Sequence, residues 1–365
     1  MDPAHERLSL FFQRIGEVSE VQPLTADAST REYFRVGWKG GTAVACVYPE
    51  PFDPATLPYL DVTHLFLAAG LPVANIHAVD GPLGVIIQED LGDRVLRDEM
   101  ENVTPDRRSR LMNEAISLIA RIQVATDRAY DLNSIASRLK FDFEKLSWEL
   151  DYFKEHYFTT FRLEIPREHE RAVPEGVELP SLISRGGQRP GRWLPQELTL
   201  EQDAELIAEF QELCHELETF ASVLCHRDFH AANLMLDHKN RMRIIDHQDA
   251  RIGSPAYDLV SLLLDRITEL PSPEWLANRR HYFLDVRRRL GLPKIDEDEF
   301  AYEFRLQTIQ RCLKAAGTFS YQSAIRGKTY FIPYIKPMFG IARRACQSLG
   351  RFPAIQTALT RELES

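Results

Sequence analysis

The sequence predicts an α+β protein of two lobes, a small antiparallel β lobe followed by a larger, mostly helical lobe. Three observations support this fold class. The chain has 365 residues, a length that favours two lobes over one compact unit. Strand-like patterns dominate residues 20–90, and amphipathic helical spacing dominates after residue 105. We therefore expect a β lobe over residues 1–90 and a helical lobe over residues 91–365.

The elements of the N-terminal lobe follow from the spacing of its apolar residues. Short apolar segments separated by turn residues are typical of antiparallel strands, whereas apolar residues about every three to four positions are typical of helices. The predicted elements are a helix over residues 5–16, strands over 32–36 and 42–47, a helix over 55–69, and two strands around 76–79 and 84–88.

The C-terminal lobe is predicted to be mostly helical. Helical spacing covers residues 107–125, 143–157 and 200–222, and it dominates again from Tyr257 to the C-terminus. Residues 166–199 contain five prolines and four glycines, which interrupt both helices and strands. We expect a long surface loop there, and loops of that length are often functional.

Composition and charge narrow the classes of partner. The net charge is -10, so a nucleic-acid partner held on a basic surface is not expected. No run approaches the ~18 apolar residues of a membrane span, and the N-terminus has no apolar signal-peptide core. The five cysteines form no CxxC pair, which favours reduced thiols. We expect a cytoplasmic protein without a membrane partner, and the sequence leaves its oligomeric state open.

The segment His226–Asn233, with the sequence HRDFHAAN, has the pattern of a catalytic loop for phosphoryl transfer. Such transfer needs a carboxylate that accepts the proton of the attacking hydroxyl, and oxygen ligands for Mg²⁺. The pattern supplies the carboxylate at Asp228 and the first ligand at Asn233. His, Asp and Asn on a loop are more often turn formers, so the spacing alone does not decide between the two interpretations.

A second carboxylate follows at the distance that the chemistry requires. Asp246 lies 18 residues beyond Asp228, and the residues between Asn233 and Ile245 have the pattern of a short β-hairpin. Such a hairpin would return Asp246 to Asn233, where both side chains can reach one metal ion. The agreement of spacing, hairpin and second carboxylate favours a phosphotransferase over a simple turn.

The chain resembles the aminoglycoside-phosphotransferase-like branch of the protein-kinase-like fold. Within it, the chain is most similar to the bacterial anomeric sugar kinases that act on N-acetylmuramate and N-acetylglucosamine. The resemblance covers about residues 23–343, and the segments that carry it are Leu24–Val36, Glu89–Gly92, Trp148–Phe153, Ile245–Ala250 and Gly253–Leu262. It implies a bilobal kinase-like fold with the catalytic loop at 226–233 and a metal-binding segment at 244–250.

The resemblance also implies a nucleotide site that uses ATP or GTP with Mg²⁺. The loop over residues 27–31 replaces the glycine-rich loop of protein kinases, and Glu89–Gly92 corresponds to the hinge. The residues implied in nucleotide binding are Ser29, Thr30, Arg31, Gln88, Glu89 and Leu91. Backbone N–H groups of a tight loop and an arginine fork are both suited to phosphate oxygens.

Two departures from protein kinases bear on this nucleotide site. The strand Thr42–Val47 has no lysine where protein kinases place the one that contacts the α- and β-phosphates. His247 and Gln248 stand where phenylalanine and glycine are usual in the metal-binding segment. The anomeric sugar kinases often lack the lysine too, so its absence favours that subgroup and leaves the neutralisation of the phosphates to other residues.

Several polar residues outside these motifs are candidates for binding the substrate. Glu149 and Asp249 could accept hydrogen bonds from sugar hydroxyls, or they could be solvated surface acids. His230 is expected to position the loop, because one general base suffices. Tyr152, with the neighbouring Trp148, fits either a core position or a surface on which a sugar stacks.

Asp258 is a candidate for supporting the loop instead of reacting. The resemblance implies a buried structural aspartate at this position. The alternative is a carboxylate stabilised by the helix dipole, since the residue lies at the predicted start of a helix.

These observations predict a Mg²⁺-dependent kinase that phosphorylates a sugar or amino sugar, with the anomeric C1 hydroxyl as the leading acceptor. Two other functions remain open at this point. One is a kinase of another small alcohol, such as an aminoglycoside, choline or homoserine. The other is a catalytically silent protein that binds nucleotide, because the strand lysine is missing, although intact Asp228, Asn233 and Asp246 argue against it.

Overall fold

The computed structural model describes residues 3–16, 20–24, 31–161 and 198–364. The chain divides into two compact units. Unit 1 comprises Met1–Lys140, Ser222–Leu263 and His281–Ile295, and unit 2 comprises Phe141–Ala221, Leu264–Arg280 and Asp296–Ser365. The predicted lobe boundary at residue 90 does not coincide with a boundary of these units. A division into lobes at that residue stays a proposal.

The first elements of unit 1 follow the order predicted for the β lobe, and helices and four short strands follow them. In chain order they are α1 (Pro3–Ile15), β1 (Val21–Leu24), β2 (Glu32–Trp38), β3 (Gly41–Val47), α2 (Pro58–Ala68), β4 (Ile76–Asp80), β5 (Val85–Glu89), α3 (Leu96–Glu101), α4 (Pro105–Val124), α5 (Thr126–Asp131), α6 (Ile135–Arg138), β6 (Val223–Cys225), β7 (Leu234–Leu236), β8 (Met242–Ile244) and β9 (Arg251–Gly253).

A five-stranded antiparallel sheet forms the first half of unit 1, with strand order β1-β2-β3-β5-β4. The buried face of its central strands packs against α1, whose Leu8 and Phe12 join the core formed by Phe34 and Ala45. A second core contains Tyr59 from α2 together with Cys46 and Ile86. Helices therefore cover apolar side chains of the sheet, and β3 and β5 are held at its centre.

The second half of unit 1 contains two small antiparallel pairs, β6 with β9 and β7 with β8. The predicted hairpin is present, since Leu234 pairs with Ile244 and Leu236 with Met242. Its turn is closed by Asp237, whose side chain accepts hydrogen bonds from the backbone N–H groups of Lys239 and Arg241 at 2.9 and 3.0 Å. The hairpin fixes the separation of the segments on either side of it.

Unit 2 is built from helices. They are α7 (Phe143–Lys154), a π-helix (Glu155–Phe161), α8 (Leu200–Thr219), α11 (Glu297–Ala324), a 3₁₀-helix (Thr329–Tyr334), α12 (Ile335–Leu349) and α13 (Pro353–Glu364); two further helices, α9 (Tyr257–Leu264) and α10 (Pro273–Arg289), begin in one unit and end in the other. The predicted helix over 143–157 thus changes to π geometry at Glu155.

A close helix crossing organises the core of unit 2. A Cβ atom added to Gly317 of α11 would lie 2.6 Å from the Cα atom of Phe153 in α7, a separation that real Cβ atoms do not adopt. Only glycine therefore allows these helices to approach so closely. Phe153 is buried in the same region, with the rings of Tyr157 and Phe339 at 5.7 and 6.0 Å.

The predicted α+β class is confirmed, with the antiparallel sheet in the N-terminal part of the chain and helices dominating the rest. Most of the loop predicted over residues 166–199 lies outside the described residues, as do Ser29 and Thr30. Among the residues that the structure describes, no helix has the length and apolar character needed to cross a membrane.

Candidate active site

The catalytic loop is anchored through its backbone. The N–H groups of His226 and Arg227 donate to the two carboxylate oxygens of Asp258 at 2.7 and 3.1 Å. Asp258 is fully buried in the first turn of α9. Arg227 has a positive φ of 85°, a conformation that costs energy for a non-glycine residue. Asp258 thus has the structural role that the resemblance implied, since its carboxylate holds the strained turn before Asp228.

The carboxylate of Asp228 lies on this loop and is partly exposed, with 27% of its side chain accessible. The backbone carbonyl of Asp228 accepts hydrogen bonds from the N–H of His230 at 3.0 Å and from Asn233 Nδ2 at 2.9 Å. A guanidinium nitrogen of Arg227 lies 3.9 Å from Asp228 Oδ2. The loop therefore fixes the main chain of Asp228, and part of its side chain stays accessible.

The hairpin brings the two predicted metal ligands together. Ile245 N–H donates to the carbonyl of Asn233 at 3.1 Å, and Asn233 Nδ2 lies 3.4 Å from Asp246 Oδ2. Asp246 has a φ of 61° and a side chain that is 42% exposed. The Nδ2 atom of Asn233 faces Asp228 and Asp246, so its Oδ1 atom is the one suited to a cation.

These two side chains fit a magnesium ion. Mg²⁺ prefers oxygen ligands and is commonly held by one or two protein groups together with phosphate oxygens and water. Asp246 supplies an exposed carboxylate beside the side-chain amide of Asn233. Within the described ranges, no group of three or more His, Cys, Asp or Glu residues is placed to hold a metal ion. The arrangement of Asn233 and Asp246 agrees with an open site that has two protein ligands.

Arg31, predicted to contact phosphate, lies beside the metal-binding segment. Its guanidinium is 3.7 Å from Asp246 Oδ1 and is mostly buried. The rings of Tyr33, Tyr48 and Tyr59 surround it, with centroids at 5.8, 5.6 and 6.0 Å. These contacts hold the guanidinium of Arg31 toward Asp246 instead of toward solvent. Its role toward phosphate stays a prediction.

His247, which replaces the usual phenylalanine, links the metal-binding segment to α2. Its ring is buried between Tyr59 and Phe66, with centroid distances of 5.2 Å to each. Its Nε2 atom lies 2.7 Å from Thr63 Oγ1. Thr63 Oγ1 in turn lies 2.6 Å from the carbonyl of Tyr59, and a hydroxyl can only donate to a carbonyl. His247 Nε2–H must therefore donate to Thr63.

The charge state of His247 follows from the same surroundings. Burial lowers its pKa to about 3, so the imidazole is neutral at physiological pH. His226 contacts the residue before Asp246, because its Nε2 atom lies 2.9 Å from the carbonyl oxygen of Ile245. The segment that carries Asp246 is thus held from both sides. The sequence marked His247 only as a departure from protein kinases and could not indicate its partner Thr63.

The hinge residues predicted to bind nucleotide make internal contacts. Gln88 Oε1 accepts a hydrogen bond from Tyr59 Oη at 2.5 Å, and Leu91 is buried. The carboxylate of Glu89 accepts from Arg243 at 2.7 and 2.8 Å and from Asn75 Nδ2 at 2.8 Å. The hydrogen bonds from Arg243 lower the pKa of Glu89 to about 2. The Glu89 side chain therefore anchors the hinge, and nucleotide contacts there stay a prediction.

The four predicted substrate residues are divided between the units. In unit 1, Asp249 forms an ion pair with Arg227 at 2.7 Å, and His230 is half-buried in the catalytic loop. In unit 2, Glu149 is fully buried and accepts a hydrogen bond from Gln310 at 2.8 Å, so it is not a solvated surface acid. Tyr152 is half-buried on α7. None of these contacts tests binding of a substrate, and all four roles stay predictions.

Residues 20–293 match the family described as "Phosphotransferase enzyme family". The chain belongs to this family. The match covers most of the chain and includes the catalytic loop, the hairpin and the metal-binding segment, so the resemblance found in the sequence is confirmed. The protein is therefore an enzyme that transfers phosphoryl groups.

Two curated relatives share a name. The chain is similar to the N-acetylmuramate/N-acetylglucosamine kinase of Neisseria meningitidis, with 29% identity over 321 residues that cover 87% of this chain and 83% of the relative. It is also similar to the enzyme of that name from Pseudomonas aeruginosa, with 27% identity over 344 residues, covering 90% of this chain and 86% of the relative.

Solved structures support the fold. An ADP-bound aminoglycoside phosphotransferase aligns with a TM-score of 0.52 and 13% sequence identity, covering 93% of this chain and 97% of that chain. At such low identity the similarity concerns the fold alone. It confirms the predicted protein-kinase-like α+β fold.

Proposed function

We propose that this enzyme is a Mg²⁺-dependent sugar kinase that transfers the terminal phosphoryl group of ATP or GTP to the anomeric C1 hydroxyl of an amino sugar. The observation that carries the proposal is the grouping of Asp228, Asn233 and Asp246 on two segments anchored by buried contacts. The curated relatives, which are named for N-acetylmuramate and N-acetylglucosamine, supply the substrate class.

Asp228 is the proposed general base. Its backbone is fixed by His230 and Asn233, and its carboxylate is accessible. A base positioned in this way can accept the proton of an acceptor hydroxyl as the bond to phosphorus forms, and such catalysis contributes roughly 10²–10⁴-fold to the rate. The C1 hydroxyl of a reducing sugar is more acidic than an ordinary alcohol, so a carboxylate is well matched to it, although base strength alone does not select C1.

Asn233 and Asp246 are the proposed ligands of the magnesium ion. When bound, this ion would neutralise part of the charge of the nucleotide phosphates. Arg31 is proposed to replace the cation that is missing from β3. Its guanidinium lies next to Asp246, and a planar fork can contact two phosphate oxygens at once. Ser29, Thr30, Gln88, Glu89 and Leu91 complete the proposed nucleotide site.

Asp249 and His230 are proposed to contact the acceptor sugar. Asp249 is 47% exposed and is oriented by Arg227, whose guanidinium also lies near Asp228. Arg227 therefore lies between the proposed base and a second carboxylate, that of Asp249, which can accept hydrogen bonds from sugar hydroxyls. Within unit 2, Tyr152 is proposed as a substrate residue, whereas Glu149, whose carboxylate is fully buried, could act only through its neighbours.

Phosphorus NMR of the reaction products tests this function. The purified enzyme is incubated with MgATP or MgGTP and a panel of N-acetylglucosamine, N-acetylmuramate, glucose, aminoglycosides, choline and homoserine. We expect a sugar 1-phosphate from an amino sugar. Sugars that are reduced or methylated at C1 should give no product, whereas blocking another hydroxyl should mainly raise KM.

The same experiment discriminates the alternatives. A product esterified at C6 would contradict the anomeric site while leaving a sugar kinase. Transfer to an aminoglycoside, choline or homoserine in preference to every sugar would overturn the proposed substrate class. Absence of transfer to all acceptors, with nucleotide still bound, would indicate a catalytically silent protein.

A further inference from the structure

An aromatic cluster lies on the surface of unit 2. Trp148 and Tyr152 of α7 have ring centroids 5.6 Å apart. Tyr152 contacts His156 at 4.1 Å in an edge-to-face arrangement, and Tyr321 of α11 lies 6.0 Å from Tyr152 and 5.0 Å from His156. We call these four residues the aromatic platform.

The rings of the platform are accessible to solvent, unlike the aromatic rings of a core. Trp148 is 54% accessible, and Tyr152, His156 and Tyr321 are half-buried. Phe153, next to Tyr152 in sequence, is by contrast buried. Burial raises the pKa of the Tyr152 phenol, and Tyr321 and Glu155 raise it further. The phenol therefore keeps its proton and can donate a hydrogen bond at neutral pH.

The backbone of unit 2 assembles this platform from three different elements. Trp148 and Tyr152 are four positions apart and share one face of α7. The π-helix begins at Glu155 and carries His156; π-helical turns are rare and occur frequently at functional sites. Gly317 allows α11 to approach the backbone of Phe153, and Tyr321 lies one turn further along α11.

Charged groups of both signs lie beside the platform, with Glu155 as a carboxylate and Lys145 and Arg326 as cations. The Nζ atom of Lys145 lies 3.8 Å from the ring centroid of Trp148, and the guanidinium of Arg326 lies 5.8 Å from that of Tyr321. Lys145 is also 4.0 Å from the buried carboxylate of Glu149, so part of its charge is compensated. Arg326 is exposed and is the cation better suited to an external anion.

We propose that the aromatic platform is a carbohydrate-binding surface that stacks on the apolar face of a pyranose ring, while Arg326 pairs with a carboxylate substituent of that sugar. This inference rests on the proposed function for its ligand class. The C–H groups on one face of a pyranose are weakly positive, and the faces of aromatic rings are negative, so the two attract each other. Arg326 would distinguish an acidic amino sugar from a neutral one.

The exposed guanidinium of Arg326 can pair with a carboxylate of the ligand, although the neighbouring Glu155 carboxylate offsets part of the positive charge. N-acetylmuramate carries a carboxylate and N-acetylglucosamine does not, while both offer the same ring. The two sugars therefore separate the contribution of the rings from the contribution of the charge.

Sugar binding measured without nucleotide tests the platform separately from phosphoryl transfer. Titrations of each sugar, followed by saturation-transfer NMR, are compared for wild type and for Trp148→Ala, Tyr321→Ala and Arg326→Gln. We expect the two aromatic substitutions to raise Kd for both sugars by roughly 3- to 10-fold. Arg326→Gln should raise Kd by at least about threefold for N-acetylmuramate and leave N-acetylglucosamine within about twofold.

Two matched controls come from exposed residues outside the platform. Tyr330 is 51% exposed in unit 2, and the side chain of Arg288 is 71% exposed in unit 1. Tyr330→Ala and Arg288→Gln should leave both Kd values unchanged. Thermal unfolding of every variant, followed by circular dichroism, verifies that a change in Kd does not reflect loss of the fold.

The outcomes separate this inference from the proposed function. Folded Trp148→Ala and Tyr321→Ala variants with wild-type Kd values would overturn the platform, even if the wild type phosphorylates the sugar. Wild-type protein that binds neither sugar would overturn it too. Sugar binding that depends on the platform, without any phosphoryl transfer, would instead contradict the proposed function and leave the platform standing.

Discussion

In the catalytic loop, a buried carboxylate from elsewhere in the chain anchors the backbone, whereas in the hinge a side chain of the segment itself is the anchor. Asp258 accepts hydrogen bonds from the N–H groups of His226 and Arg227. The side chain of Asp228 on the anchored turn stays partly accessible. Glu89 instead directs its own carboxylate toward Arg243. An acidic residue in a motif is therefore available for chemistry when other groups hold its backbone, and is structural when its side chain does the holding.

The largest effect is expected from removing Asp246, the proposed metal-binding carboxylate. Asp246→Ala should lower turnover below detection and abolish Mg²⁺-dependent nucleotide binding, because it removes the charged oxygen ligand of a hard cation. Asn233→Ala should weaken the same binding without abolishing it. Titration calorimetry with the nucleotide, with and without Mg²⁺, measures both. MgATP binding and turnover by Asp246→Ala at wild-type levels would show that the metal is held elsewhere.

A smaller loss is expected at Arg31. Its proposed contacts with phosphate are charge-assisted hydrogen bonds, so Arg31→Ala should reduce kcat/KM for nucleotide by about 10- to 100-fold. Arg31→Lys should recover only part of this loss, because a point charge cannot reproduce the fork. Steady-state kinetics at low salt tests the prediction. Wild-type nucleotide kinetics in Arg31→Ala would direct attention to Lys39, since Arg35 is paired with Asp90 and Asp93.

The next smaller effect is expected from removing the hydrogen bond between Thr63 of α2 and His247 of the metal-binding segment. Thr63→Val removes the acceptor of the His247 Nε2–H group and leaves that donor buried, at a cost of about 1–3 kcal/mol in the free energy of unfolding. If the link positions Asp246, the affinity for nucleotide should fall in Mg²⁺ and stay unchanged without it. A simple structural role would lower stability alone.

Thr63→Ser is the matched control for this prediction. It keeps the hydroxyl and should therefore retain the Mg²⁺-dependent component of nucleotide binding. Urea denaturation and calorimetry on the three proteins give both quantities. If the affinity for nucleotide depends on Mg²⁺ equally in Thr63→Val and wild type, the hydrogen bond contributes to stability and not to the position of Asp246.

The smallest effect on turnover is expected in the hinge. Glu89→Gln should change kcat by less than about threefold, because the carboxylate anchors the chain instead of acting on the phosphates. Its pKa is lowered from 4.5 to about 2 by Arg243. The stabilisation it provides is therefore complete above about pH 4.5 and is lost as the pH falls toward 2.

Denaturation curves at several pH values test the hinge prediction. The difference in unfolding free energy between wild type and Glu89→Gln should narrow from pH 6 to pH 3. A difference that is constant over this range would contradict the assignment. A loss of turnover as large as that of Asp246→Ala would remove the contrast between hinge and catalytic loop.

Local pattern was sufficient to predict the α+β class, the hairpin after Asn233 and the motif residues of the catalytic loop. Each depends on neighbouring residues, since alternation, turn chemistry and motif spacing are properties of short segments. The partners of these residues could not be predicted. Thr63 and His247 are 184 positions apart, and Arg31 and Asp246 are further apart still, so only the tertiary fold reveals these pairs.

Residue type also gave an incomplete account of exposure in unit 2. Glu149 is charged yet fully buried, because Gln310 donates to its carboxylate. Trp148 is aromatic yet exposed. Both lie on α7, where the helical period is regular, but the burial of each face depends on what α11 covers. The close approach of α11 at Gly317 is one such tertiary contact, and no local pattern around α7 contains that information.

The rate of phosphoryl transfer in Asp228→Asn tests the central claim most directly. Asparagine keeps the size of the side chain and removes the base, so single-turnover transfer to the best acceptor sugar should slow by roughly 10²–10⁴-fold. The Kd for MgATP should remain within about twofold of wild type, because the proposed role of Asp228 is toward the acceptor and not toward the phosphates. A single-turnover rate within about threefold of the wild-type rate would contradict Asp228 as the base.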